Sequence, residues 1–400
     1  MPIQPVRGLG SVGIVQDTPS VLLPPEAWSD GRNVRFDNES VSKISGHLSI
    51  LDTGSTNPEH LTYWPRPITQ YYVYTDAANI FRIDQAGTAT NINRTTGGAY
   101  NANGSWHSTL FNGGYTVVLN NTLDIPQVIT YAADNSDTNV MNLPNWNYGT
   151  TTVTANVLRS FGNVLVAGNL NVTDSGVTIR QPSTVRISTR AAPGGLPATW
   201  EPGTGVTTAD EFELSTPEPI IDIAEISRGQ AIVYTRTSFY SLTVDATASR
   251  VRQLNTTYGC RSINCVTTFE GQHFVVGLND VYTHSGSGSI TSVIDGRFRD
   301  YLYDNLHPEF SDNIFTSLNA QQDEVWICFP NLIAGATGGR CNEALIWNYR
   351  HNTWTKRDLP NILDATEGPS TGGGIASSTF TFAGANTGTT TAGTAEVQRG

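Results

Sequence analysis

Lysine is almost missing from this chain: Lys43 and Lys356 are the only two in 400 residues, so nearly all positive charge is carried by arginine. Arginine's planar fork and weaker hydration favour bidentate pairing at protein interfaces, and genomic base composition accounts for the bias equally well. Charge of any kind is sparse, at 14% of residues, and the balance is acidic, with a formal net charge of -12. That balance argues against a protein whose main task is gripping a nucleic-acid backbone, since such affinity comes from Lys and Arg neutralising phosphates. An acidic surface repels DNA, so it can line a passage without holding what passes. The four cysteines, Cys260, Cys265, Cys328 and Cys341, do not have the spacing of paired Cys-x-x-Cys zinc ligands. They are expected to be mostly reduced thiols; a Cys328 to Cys341 link across a loop is conceivable but has no support. No apolar run reaches spanning length. The opening MPIQPVRGLGSVGIVQDTPS lacks the apolar core and small-residue cleavage site of a signal peptide, so folding in a cytoplasm is the expectation.

The motifs of catalysis are equally thin. Seven histidines include no His-x-x-x-His pair, which leaves metalloprotease chemistry unsupported. There is no Gly-x-Ser-x-Gly elbow of the hydrolase kind, the one match, GPSTG at residues 368–372, falling in the Gly/Thr-rich C-terminal segment, and no Walker Gly-x-x-x-x-Gly-Lys stretch, so elbow-type serine hydrolysis and nucleotide hydrolysis are poor fits. Asp210, Glu211 and Glu213, or Asp295, Asp300 and Asp304, supply the residue type of a glycosidase pair, but acidic loops on a solvated surface are the commoner origin of such groups. The Ser-x-Asp-x-Gly-x-x-Trp turn repeated in sialic-acid-cleaving propellers does not recur. No catalytic residue, cofactor or metal is expected.

What the sequence does have is a recurring unit. GQHFVVGLNDVYTHSGSG, residues 271–288, reads as strand, Leu-Asn-Asp turn, strand, and His273 and His284 sit where they can face each other across it. Related runs are YYVYTDAANIFRID, GYTVVLNNTLDIPQV, NVLVAGNLNVTDSGVTI, QAIVYTRTSFYSLTV, and DEVWICFPN followed by ALIWNYRHNTWT. Their centres fall at Val73, Val118, Leu165, Ile232, Phe274 and Val325. The shorter intervals match the period of about 40–50 residues expected of four-stranded propeller blades. One twisted sheet cannot bury both faces alone, whereas radial packing buries each face against a neighbour. The reading is therefore an all-β chain with a β-propeller-like domain of about six blades and inserted loops, against a β-sandwich or two stacked β-domains as the alternative.

The long interval between Leu165 and Ile232 holds AAPGGLPATWEPGTGVTTADEFELSTPEPI, residues 191–220, read as an inserted surface excursion. The organisation is an N-terminal extended segment with first strands at 1–50, the propeller at 51–360, and a Gly/Thr-rich C-terminal segment at 361–400 with one strand, STFTF. The clearest helical piece is DGRFRDYLYDNL, residues 295–306. Tryptophans near prolines, as in YWPRP and LPATWEP, suit sugar platforms or interface anchors, and Trp326 and Trp347 suit core filling as well.

Three stretches in order resemble the tail nozzle, or tail hub, proteins of short-tailed bacteriophages. They are GIVQDTPSVLLPPEAWSDGRNVRFDNESVSKISGH (residues 13–47), the run from LRSFGNVLVAGNL to STVRISTRAAPGGLPATWEP (158–202), and the region 220–298 with IVYTRTSFYSL, the Gly259 turn and IDGRF. The likeness spans most of residues 13–360 and stops beyond Pro360. It implies a structural virion protein, not an enzyme, assembled in the host bacterial cytoplasm as a homo-oligomeric ring, usually a hexamer, below the adaptor under the portal. Such a ring continues the DNA channel, lets double-stranded DNA pass without sequence-specific binding, helps retain the packaged genome and carries fibres or spikes. The interface candidates are Trp28, Arg32, Arg35, Trp200 and Glu201, with residues 191–220 as a contact arm. The alternative function is a carbohydrate-binding or carbohydrate-cleaving propeller.

Overall fold

The computed structural model describes residues 8–37, 39–44, 57–65, 71–84, 88–114, 116–130, 140–147, 150–203, 209–245, 249–336, 338–369, 378–384 and 396–398. Its basic unit is visible around Glu270 and Gly271, whose φ angles of 43° and 74° form a two-residue turn between the paired residues Phe269 and Gln272. Positive φ at both positions matches the right-handed twist of the flanking strands, and glycine adopts it without strain. The hairpin continues through a third and a fourth strand into a small antiparallel sheet.

Six such sheets follow one another along the chain, each built from consecutive strands. Blade 1 is His60–Trp64, Tyr71–Thr75, Ile80–Ile83 and Ala89–Asn91; blade 2 is Trp106–Phe111, Thr116–Asn121, Gln127–Thr130 and Met141–Asn142. Blade 3 is Thr152–Phe161, Val164–Asp174, Val177–Ile187 and Asp210–Glu213; blade 4 is Asp222–Ser227, Gln230–Tyr234, Phe239–Val244 and Ser249–Asn255. Blade 5 is Val266–Phe269, Gln272–Val276, Val281–His284 and Thr291–Ser292. Blade 6 is Phe315–Asn319, Glu324–Phe329, Cys341–Asn348 and the long strand Thr353–Pro369, with Ser378–Gly384 as a fifth strand. The first strands of neighbouring blades touch in succession, which closes the sheets into a six-bladed β-propeller.

Each of the six recurring runs supplies the second strand of its blade. These strands are buried almost throughout, as in YYVYT and EVWICF, because both faces of a blade are covered by its neighbours. That is why they read as continuous apolar runs and not as an alternation.

Blade 3 departs from the plan. Its first three strands have 10, 11 and 11 residues, whereas its fourth pairs only across Thr184–Ile187. The outer part, from the Ser175–Gly176 turn to Gln181, is therefore a ribbon projecting past the fourth strand, with Val177 65% and Ile179 60% exposed. The extra length of this repeat thus divides between longer strands and the connection ahead of Asp210–Glu213, so residues 191–220 are not all excursion.

Ring closure between blades 6 and 1 uses the 17-residue strand Thr353–Pro369. It pairs first with Cys341–Asn348, then with Ser378–Gly384, and its second half runs beside His60–Trp64. The helix Arg299–Asn305 falls inside the stretch read as helical, and the STFTF run lies in the strand Ser378–Gly384. The N-terminal strands Gly13–Ile14 and Val34–Asp37 lie on blade 6, where Thr355 Oγ1 donates to the Val34 carbonyl at 2.7 Å.

Gly259, in the turn joining blades 4 and 5, has no room for a side chain: a Cβ there would lie 2.3 Å from the Thr235 carbonyl oxygen. Gly259→Ala is expected to destabilise the fold by about 1–3 kcal/mol, measured by denaturant titration. An unchanged midpoint would contradict the close approach.

Candidate functional site

The first strands of all six blades surround a cavity of ≈ 400 Å³ on the propeller axis. Its wall is polar because strand residues that point inward here meet other strands' polar groups across a narrow space. Arg159 of blade 3 forms a bidentate pair with Asp222 of blade 4, Nε to Oδ1 at 2.9 Å and Nη2 to Oδ2 at 3.1 Å. Nη2 also donates to Asn264 Oδ1 at 2.7 Å, and Nη1 donates to the Ser108 carbonyl at 3.1 Å. Asp222 further accepts the backbone N–H groups of Ile223 at 2.8 Å and Asn264 at 3.0 Å. One guanidinium thus ties blades 2, 3, 4 and the approach to blade 5 together, with charge-assisted bonds replacing the water each group gave up.

A second chain of contacts runs along the opposite junction. Ser108 Oγ lies 2.8 Å from His60 Nε2, and His60 Nδ1 is paired with Asp364 Oδ2. Asp364 is held by the backbone N–H of Leu61 at 3.1 Å and by that of Ala365 at 2.8 Å. The Asp364 carboxylate lies against Nδ1 without an aligned hydrogen bond, so which of Ser108 Oγ and His60 Nε2 donates is set by the ring's tautomer. His60 and Asp364 are buried, whereas Ser108 keeps partial contact with solvent. These residues come from blade 1, blade 2 and the closing strand, and no spacing in the sequence connects them.

His273 and His284 do face each other, as directly paired residues in blade 5, and both contact the Tyr234 hydroxyl of blade 4, at 2.6 Å and 2.5 Å. Burial lowers His273 to about 4 and, with the neighbouring His273, His284 to about 3. Burial likewise pushes the Tyr234 phenol up and holds His107 well below the usual imidazole range, the Arg159 charge adding to the latter. These groups are neutral packing elements at neutral pH. All four cysteines are buried free thiols.

The proposed interface residues separate into two groups. Trp28, Arg32 and Arg35 all lie in the N-terminal segment against blade 6. Trp28 is half-buried beside Phe36, and its indole N–H donates to the Leu9 carbonyl. Arg32 pairs with Asp358 and lies 3.7 Å from the buried Glu343, whose carboxyl is pushed up by burial against the pull of Arg32. Arg35 clasps the buried Glu324 through Nε at 2.5 Å and Nη2 at 3.2 Å. Both arginines therefore have carboxylate partners within the chain, and only Arg35's is bidentate. Trp200 is fully buried edge-on to Trp146, with ring centroids 4.6 Å apart, while its neighbour Glu201 is exposed. Arg35→Ala leaves Glu324 buried without its cation and is expected to cost on the order of 3 kcal/mol. Limited proteolysis should then cut the N-terminal segment first; cutting unchanged from the parent would count against the clasp.

The other sequence candidates are accounted for locally. Glu211 receives the Arg186 guanidinium at 2.8 Å and Asp295 that of Arg299 at 2.8 Å. Trp64, Trp146, Trp200, Trp326 and Trp354 are fully buried, so they fill the core and present no platform. Among the described residues no group of three or more His, Cys, Asp or Glu is placed to hold a metal, and no helix is long and apolar enough to cross a membrane.

The chain matches no protein-family model and no curated protein sequence. Among solved structures it is similar to selenomethionine-substituted virginiamycin B lyase from Staphylococcus aureus, at 14% identity over 76% of this chain and 85% of that one, with a TM-score of 0.46. It is also similar to dihydro-heme d1 dehydrogenase NirN in complex with DHE, at 8% identity over 78% of this chain and 59% of that one, with a TM-score of 0.44. At these identities the likeness concerns the fold alone.

Proposed function

We propose that the protein is a structural component of a phage virion, a tail nozzle subunit that assembles into a ring below the portal and adaptor. The observation that carries this reading is the projecting ribbon of blade 3. Among the described residues its edge strand Val177–Ile187 has no ladder partner on one side over its outer half, and it exposes Val177 and Ile179. A rigid propeller bearing one projecting apolar edge suits the head-to-tail contacts from which closed rings are built. The ordered resemblance in residues 13–47, 158–202 and 220–298 supports the same reading, as does the net charge of -12, which suits a passage that DNA crosses without sticking. In this account DNA passes through the centre of the ring and not along the propeller axis, which crossed side chains and a ≈ 400 Å³ cavity leave far too narrow.

Val177→Asp with Ile179→Asp tests the contact. The double variant is expected to abolish ring formation while leaving thermal stability within about 0.5 kcal/mol, since both side chains are solvent-exposed in the free chain. Rings formed as readily as by the parent would refute the ribbon's role. The carbohydrate alternative needs loop tryptophans gathered beside carboxylates, and no observation favours it over the ring.

A further inference from the structure

We propose that Ser108, His60 and Asp364 form a serine-nucleophile relay in the axial cavity, able to cleave small polar carboxylic esters. Such a relay is recognised by its geometry and roles, whatever the sequence order or fold. The three groups are in contact: a hydroxyl 2.8 Å from an imidazole nitrogen, a carboxylate against the other ring nitrogen, and that carboxylate fixed by two backbone N–H groups. In this relay Asp364 is a positioning residue: a small rotation of the ring aligns Nδ1–H on the carboxylate it already touches and leaves Nε2 to accept. The cavity brings the remaining requirements. Ser108 keeps solvent contact and ≈ 400 Å³ admits a small ester, while Arg159, held by Asp222, fixes the Ser108 strand by donating to its carbonyl oxygen at 3.1 Å.

In the acylation step Ser108 Oγ bonds to the ester carbonyl carbon as its proton passes to His60 Nε2. The tetrahedral intermediate collapses with cleavage of the carbon–oxygen bond, and the leaving alkoxide takes that proton. Water then attacks the acyl-serine, gives its proton to His60, and the acid leaves as Ser108 recovers the proton. No oxidant, metal or cofactor enters this balance. The inference is independent of the ring: a virion subunit and a monomer would hold the same three side chains.

The test is covalent labelling of the full-length chain with diisopropyl fluorophosphate, followed by intact mass and peptide mapping, alongside hydrolysis of p-nitrophenyl acetate. One adduct at Ser108 is expected, with none in Ser108→Ala. His60→Gln and Asp364→Asn are expected to slow labelling and hydrolysis by about 10²-fold or more. The labelling rate of the unmodified protein should rise with pH as an imidazole loses its proton. Should a His60 variant fail to fold, that pH profile and Asp364→Asn, which keeps the side chain's volume and one acceptor oxygen, still decide the matter. Absence of an adduct, an adduct elsewhere, a flat pH profile, or equal rates in folded Asp364→Asn would each overturn the proposal.

Discussion

Asp222→Ala is expected to lower the unfolding free energy by about 3–5 kcal/mol, among the largest losses any single substitution in this chain should cause. The reason is asymmetry. Asp222 accepts two bonds from Arg159 and one each from the Ile223 and Asn264 backbones, all in the interior of the ring. Its removal leaves a guanidinium largely out of water with only Asn264 and the Ser108 carbonyl as partners. It also leaves two backbone donors unsatisfied, each costing about 1–3 kcal/mol if water does not reach it. Asp222→Asn, which retains an acceptor and nearly the same volume, should lose distinctly less. The measurement is the urea midpoint of parent, Asn and Ala forms; an Ala midpoint within error of the parent would show that the pair does not hold the blades together.

The second large effect is on acid stability. His273 and His284 have folded values of about 4 and about 3, against an ordinary histidine near 6.5. Both are bases held neutral, so the unfolded chain binds more protons than the folded one below about pH 6.5. Their contribution to stability is intact above that pH, falls as the pH drops from 6.5, and stops changing only below the two folded values. One unit of difference corresponds to about 1.4 kcal/mol, so the pair should remove several kcal/mol by pH 4. The carboxyls of Glu343, Glu59 and Asp17, raised chiefly by burial, act in the opposite direction. The His273→Gln/His284→Gln double variant leaves those groups in place. Its stability should fall more gently than the parent's between pH 6.5 and 4, and parallel curves would contradict the assignment.

The propeller was largely legible in the sequence because a blade's second strand is sandwiched on both faces. Val73, Val118, Leu165, Ile232, Phe274 and Val325 each mark such a strand, and the turns between strands carry residues that tolerate positive φ, such as Gly162, Gly176 and Gly271. Blade 3 was harder to read because its extra length is partly strand, and period alone does not distinguish a longer hairpin from a loop. Arg32 and Arg35 were singled out as interface residues, and sequence does not say whether an arginine's partner lies within the chain; Asp358 and Glu324 are brought to them only by the fold.

The axial site was not legible at all. His60, Ser108, Arg159, Asp222 and Asp364 are isolated polar residues in otherwise ordinary strands, and only closure of the ring brings them to one cavity. The long strand Thr353–Pro369 is decisive, since its second half carries Asp364 to blade 1. His273 and His284 were the exception, because a hairpin register is local enough to be anticipated.

The central claim of ring assembly is tested most directly by the mass of the purified full chain, measured by light scattering across a concentration series, alone and with a candidate adaptor ring, with negative-stain imaging of the same samples. The account predicts closed rings with a central hole, formed by the chain alone or templated on the adaptor. A monomer that persists at every concentration and ignores the adaptor would contradict it.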